Sequence, residues 1–381
     1  MSTYFDASYA KKKHHRHKHH HKPEPSPDPG PSPVPIPNKT VFKVLDYGAK
    51  GDGESDDTKA FQDAWDNACD AEASTIVVPS GYKFLVSPPM TFMGPCQRNI
   101  VFQETGSTDS KMPKIRPTAL RFYGSDNVTV TGITIENSPQ CHLKFDNCTS
   151  VQVFNFRVSS PADSQNTDGV HVQNSHDVSI YNTSLSCGDD CISIQTGCYN
   201  VHVYDVDCGP GHGISIGSLG KKMKRACVHD ILVQNVRMNN TTNGVRIKSW
   251  KDTSGSARNI TFSNIQVTEV EKPIVIGQFY NAEPSEFKNE KSAVALSQIS
   301  FENIKVTYTK QPVHLACSEI VPCSKISLTD IDLQPIQKES DIIGPFCQAS
   351  YGEMRPPTIP PMDCLQSDSG NRNVLFAQDS C

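Results

Sequence analysis

The sequence predicts an all-β chain folded as a right-handed parallel β-helix, a solenoid, with a short helix capping its N-terminal end. Two repeated strand motifs and the composition predict it. The first motif, a polar residue followed by an apolar–any–apolar triplet, recurs at 127–130 (NVTV), 150–153 (SVQV), 177–180 (DVSI), 200–203 (NVHV), 230–233 (DILV), 259–262 (NITF), 298–301 (QISF) and 325–328 (KISL). Two-residue alternation marks strands, and the uneven 23–39-residue spacing marks coils whose turns differ in length. The second motif ends on the same alternation a short way further along each coil: 119–122 (ALRF), 142–145 (HLKF), 169–172 (GVHV), 191–194 (CISI), 213–216 (GISI), 244–247 (GVRI), 273–276 (PIVI) and 312–315 (PVHL). Only 8% of the 381 residues are aromatic, while Asn, Thr, Val and Ile crowd the middle, which favours strands over a helical bundle. A β-sandwich would need hairpin turns every 8–12 residues, a weaker pattern here.

Taken in order, the chain opens on a basic, His-rich block, KKKHHRHKHHHK at 11–22, which has nothing to bury and stays solvated. Alternating prolines at 23–37 then favour an extended polyproline spacer. Residues 1–40 therefore read as a disordered tail, 41–355 as the solenoid and 356–381 as a Cys-containing C-terminal tail. Within the solenoid, Asp57 stands where a helix would be capped, and Ala60, Phe61, Ala64, Trp65 and Ala68 form one apolar face behind it. That helix closes the end of the stack, where open strands would otherwise invite pairing.

Charge divides unevenly. The net charge is −5, but residues 1–22 carry +5, leaving −10 on the rest. No apolar run reaches the roughly 20 residues of a membrane span. Fourteen cysteines without paired C-x-x-C spacing point to disulfides and an oxidising compartment, although Met1–Ala10 lacks the basic start and apolar stretch of a secretory signal.

Stacked coils lie about 4.8 Å apart, so a column in this alignment is a row in space. Two residues before the first apolar residue of the second motif stand Asp168, Asp190, His212 and Asn243 in consecutive coils, with Asp189 beside Asp190. The outward column of the same strands holds Arg121, Lys144, His171, Ser193, Ser215 and Arg246, with Lys248 two residues on. Clustered acids beside a cationic stripe suit acid–base work on an anionic substrate: crowded carboxylates cannot all ionise freely, so one keeps a proton to donate while another activates water. His171 and His314 have no motif partner and read as surface or packing residues.

Asn166-Thr167-Asp168, Gly188-Asp189-Asp190-Cys191, Gly211-His212-Gly213 and Arg246-Ile247-Lys248, in this order and spacing, resemble the signatures of plant-type polygalacturonases, glycoside hydrolase family 28. The resemblance implies hydrolysis of α-1,4-galacturonosidic bonds in pectin (homogalacturonan) with inversion, in cell-wall remodelling. It implies Asp189 as general acid, Asp168 and Asp190 activating water, His212 assisting the acid, Asn166 positioning the site, Arg246 and Lys248 holding substrate carboxylates, and Tyr280 contacting the sugar. It further implies disulfides Cys69–Cys96, Cys191–Cys208 and Cys317–Cys323, with Cys141 and Cys148 unassigned. No cofactor and no metal are implied. The expected partner is polygalacturonate or pectin, with no nucleic acid; a monomer, secreted to the cell wall, is expected. One departure stands out: only 16 residues (103–118) separate the motifs at 99–102 and 119–122, a stretch shorter than the family's, as if a coil were missing. The alternatives are therefore a catalytically impaired pectin-binding homologue and a pectate lyase on the same type of solenoid.

Overall fold

The computed structural model describes residues 40–367, apart from 80–81, 87–90, 98–99, 104–105, 108–117, 139, 222–224, 281, 283–289 and 337–341. Of the tail expected at 1–40, residues 1–39 lie outside the described residues, as does the end of the chain from 368, while Thr40 already opens the strand Thr40–Lys43.

Among the described residues the chain winds as a right-handed parallel β-helix. One sheet carries sixteen strands and a second carries ten, and in both the neighbours come from successive coils. The register is the one that the two motifs dictate. Val128, Val151, Val178, Val201, Ile231, Ile260, Ile299 and Ile326 pair in succession, as do Leu120, Leu143, Val170, Ile192, Ile214, Val245, Ile274 and Val313. All sixteen side chains are buried, each contributing about 1.5–3 kcal/mol from leaving water.

The polar residue that opens the first motif has a backbone reason. In all eight coils it adopts the left-handed conformation, with φ between +51° and +57°, bending the chain into the strand. Asn and Asp tolerate that conformation because their short side chains hydrogen-bond locally. Here the Asn200 amide donates to Asp177, and that of Asn259 to Asp230. A second left-handed row, Asn155, Asn182, Asp205, Asn235, Asn264 and Asn303, bends long strands such as His176–Ser186 and Cys198–Cys208; the Asn264 amide donates to Asn235 at 2.6 Å and that of Asn303 to Asn264 at 3.1 Å.

The capping helix spans Thr58–Cys69 and buries the five expected residues. Trp65 stacks on Phe92 at 4.7 Å, meets Phe122 edge-on at 5.5 Å and donates its indole N–H to the Met93 carbonyl. Asp57 sits at the N-cap position, but its carboxylate accepts from the Lys50 and Gly51 backbone rather than from the helix. It fastens the incoming loop instead.

The short stretch before residue 119 leaves no break in either ladder. Ile100–Gln103 pairs directly with the strand before it and with Asp126–Thr131 after it, and Thr91–Met93 pairs with Leu120–Tyr123. A solenoid is held by nearest-neighbour contacts, so the ladder can close over a removed coil. At the other end the strand Ser350–Ile359 runs across position 355, and Cys347–Cys364 ties it down. The three disulfides implied by the resemblance are all present, while Cys141, Cys148, Cys187 and Cys198 are free and buried.

Candidate active site

Four consecutive coils build the site at the turns entering the second sheet. Val170, Ile192, Ile214 and Val245 are register partners, which aligns Asp168, Asp190, His212 and Asn243 as expected. The turns are drawn together by backbone contacts that only glycine permits. A Cβ on Gly188 would lie 2.0 Å from the Ser164 carbonyl oxygen, and the Gly188 N–H donates to Thr167 Oγ1 at 2.9 Å. The Asp168 and Asp189 turns are thereby locked to each other, with the Cys191–Cys208 disulfide immediately behind.

Asp190 is the fixed charge of the site. Its Oδ1 accepts from Ser215 Oγ at 2.7 Å and from an Arg246 guanidinium nitrogen at 2.8 Å, and its Oδ2 accepts from Lys248 Nζ at 2.8 Å. The Asp190 side chain is only 3% exposed, that of Lys248 9% and that of Arg246 15%. Both cations, implied by the resemblance to hold substrate, are first of all partners of Asp190. Arg246 Nε also donates to Ser215 Oγ at 3.0 Å, so this hydroxyl links acid and cation. Lys248 Nζ in turn lies 5.3 Å from the centre of the Tyr280 ring, and Trp250 packs edge-on against the same ring.

Asp189 and His212 face outward from this anchor. Asp189 Oδ1 lies 3.0 Å from His212 Nδ1, and the His212 backbone N–H donates to the Asp189 carbonyl at 2.7 Å. Donor atoms of Asp189, Asp190 and His212 all lie within 4.8 Å of one another. With 22% of its side chain exposed, against 14% for Asp168, Asp189 is the most accessible of the three acids, and His212 is 39% exposed. Burial alone would raise the Asp189 carboxyl; the His212 hydrogen bond and charge, Lys248 and the Asp190 backbone N–H bring it below its ordinary value. Asp168 goes the other way. Burial, reinforced by Asp190 and Asp189, raises it despite its hydrogen bond to His171.

His171, which the sequence suggested was a packing residue, is therefore part of the site: its Nδ1 lies 3.0 Å from Asp168 Oδ2. Its place in the outward column directly after Asp168 was the available signal. Ser193 and Ser215 of that column are buried beneath the site rather than lining an open surface. Arg121 is drawn into a 2.5 Å ion pair with Asp146. His314, by contrast, is a packing residue, stacked on Phe346 at 5.1 Å. Asn166 is exposed and left-handed (φ +59°), at the lip of the Asp168 turn. A pocket of about 490 Å³ opens beside His212, lined by Pro210, Thr241, Thr242, Glu269 and Glu271 among others. A larger cavity of about 830 Å³ follows the second left-handed row; its acids Asp205 and Asp207 are committed to Asn235 and Arg237.

Stacked carboxylates beside locked cations on a parallel β-helix are an arrangement suited to acid–base chemistry on an anionic polysaccharide. Residues 68–349 match the family described as glycosyl hydrolases family 28. Over 383 aligned residues the chain is 34% identical to a probable polygalacturonase of Arabidopsis thaliana, covering 87% of this chain and 86% of that protein. To a polygalacturonase of Malus domestica it is 35% identical, covering 81% and 77%. The fold is shared with the endo-xylogalacturonan hydrolase of Aspergillus tubingensis, at a TM-score of 0.66 and 19% identity over 83% of this chain and all of that one. The chain belongs to glycosyl hydrolases family 28, as a glycoside hydrolase of the plant polygalacturonase type.

Proposed function

We propose that this protein hydrolyses the α-1,4-galacturonosidic bonds of pectic homogalacturonan with inversion, as a secreted, monomeric enzyme of the cell wall. The observation that carries the reading is the division of labour among the three acids. Asp190, locked by Arg246, Lys248 and Ser215, keeps one lone-pair direction free to orient a water molecule. Asp168, held near it and hydrogen-bonded to His171, shares that water and takes its proton. Asp189, the exposed acid against His212, protonates the leaving oxygen.

For that step Asp189 must carry a proton, although His212 and Lys248 favour its anion. The substrate supplies the correction. Each galacturonate brings a carboxylate, and negative charge arriving near Asp189 raises its affinity for a proton. The residual donors of Arg246 and the Lys248–Tyr280 pair are placed to receive that carboxylate, and Asn166 bounds the entrance to the same turn. Water attacks from the Asp168–Asp190 side while the leaving oxygen departs toward Asp189, which inverts the anomeric carbon.

The test is Asp189→Asn assayed for new reducing ends on polygalacturonate. A fall of about 10²–10⁴ in kcat with an unchanged unfolding midpoint is expected for loss of a general acid. Undiminished turnover would overturn the assignment, and unsaturated ends in the wild-type product would replace hydrolysis by elimination.

A further inference from the structure

We propose that Cys141, Asp168 and His171 form a three-ligand site for a thiophilic divalent cation of the zinc type, and that a cation held there switches hydrolysis off by occupying the Asp168 carboxylate. The second half rests on the role given to Asp168 above; the first rests on the residues alone.

Cys141 stands two residues before Leu143, and Leu143 pairs with Val170, so the thiol occupies in its coil the position that Asp168 occupies in the next. It is free and only 7% exposed, and the hydrolysis proposed above gives it no role. Its sulfur, a carboxylate oxygen of Asp168 and a ring nitrogen of His171 all lie within 4.8 Å of one another. Tetrahedral zinc, with bonds of about 2.0–2.3 Å, needs its ligand atoms about 3.3–3.8 Å apart, so side-chain shifts of about 1 Å close the site. One sulfur, one nitrogen and one oxygen donor suit zinc or cadmium; calcium and magnesium require oxygen ligands throughout. The fourth position stays open to water.

The surroundings supply a partner for the second ring nitrogen. His171 Nδ1 is the atom that faces Asp168, and His171 Nε2 lies 3.4 Å from Gln173 Oε1. On binding, the thiol proton leaves to solvent and the imidazole carries its remaining proton on Nε2, where the Gln173 oxygen accepts it. Such an outer partner fixes the ring and strengthens the ligand. The neighbouring trio Asp189, Asp190 and His212 is similarly compact, but the Asp190 oxygens already serve Arg246, Lys248 and Ser215.

The test titrates the full chain with Cd²⁺ and follows near-ultraviolet thiolate-to-metal absorption together with hydrolysis. The histidines at 14–21 bind cations through imidazole and contribute no thiolate band. One equivalent of band, rising as hydrolysis falls, is expected. Cys141→Ser should keep metal-free hydrolysis, lose the band and resist Cd²⁺ by more than about 100-fold, since losing even an outer partner costs ~10–100-fold in affinity. His171→Asn should keep the band at weaker affinity, which tests the site through a second residue if Cys141→Ser does not fold. No band in the wild type, or an undiminished band in Cys141→Ser, overturns the site. A normal band with undisturbed hydrolysis overturns the switch and, separately, the role of Asp168 in catalysis.

Discussion

Two rows of acids run along this solenoid, and the same residue type does opposite things in them. On the first sheet Asp177 and Asp230 alternate with Asn200 and Asn259, all left-handed. Their carboxylates sit below the ordinary value, chiefly because the Asn of the next coil donates to each, with His176 or His229 adding to it. At the turns entering the second sheet, Asp168 is raised by burial and Asp190 is held by two cations from later coils. An Asp in the left-handed column, where it alternates with Asn, helps to bend the backbone. The column of Asp168 and Asp190 is not left-handed and also holds Cys141, His212 and Asn243, and it is this column that assembles the candidate site.

The contrast should be largest at Asp190. Asp190→Ala leaves Arg246 and Lys248 without their carboxylate partner, and loss of one member of a buried ion pair costs about 3–5 kcal/mol. Urea unfolding should show that loss together with abolished hydrolysis, whereas Asp177→Asn, in a site that already alternates with Asn, should stay within about 0.5 kcal/mol. Equal costs at both positions would erase the distinction between the rows.

Next comes Ser215→Ala, which removes the hydroxyl between Asp190 and Arg246. Hydrogen bonds to charged groups contribute about 1.5–3 kcal/mol, and a loss in that range, with a drop in kcat larger than the change in KM, is expected from unfolding and steady-state measurements. An unaltered kcat would show that the Asp190 geometry does not depend on it.

The smallest effect is a difference of sign with pH. The Asp168 carboxyl is raised from its ordinary 3.8, so its contribution to stability is present at low pH and is lost as pH rises through its folded value. The Asp177 carboxyl is lowered from 3.8, so its contribution is present above that value and is lost as pH falls through the lower, folded one. Relative to the wild type, Asp168→Asn should therefore gain stability between about pH 4 and pH 7, and Asp177→Asn should gain none. Unfolding free energies at the two pH values check both signs.

Much of the fold was legible because the solenoid repeats. Apolar alternation set both core ladders, and the spacing alone aligned Asp168, Asp190 and His212. What stayed hidden depended on dihedral angles or on partners far apart in sequence. The first motif announced its polar leading residue without announcing that it is left-handed. The second row, at Asn182, Asn235 and Asn264, lies within strands that read as straight alternation. His171 gave no motif, yet it stands three residues after Asp168 in the same coil and its ring nitrogen meets that carboxylate. Arg246 and Lys248 were visible as cations, but their commitment to Asp190, 56 and 58 residues earlier, follows from side-chain reach across two coils. The short stretch before residue 119 suggested a missing coil, and parallel pairing among the described residues on both sides carries the ladders through, with Trp65 packed at the end of the stack.

The most direct test of the account is the configuration of the first product. Proton magnetic resonance of a galacturonate oligomer, recorded during the first turnovers before mutarotation, reads the anomer released. Water attacking opposite the leaving oxygen, with Asp189 as acid and Asp168 and Asp190 on the other face, predicts the β anomer from the α-linked chain. The α anomer appearing first would contradict it.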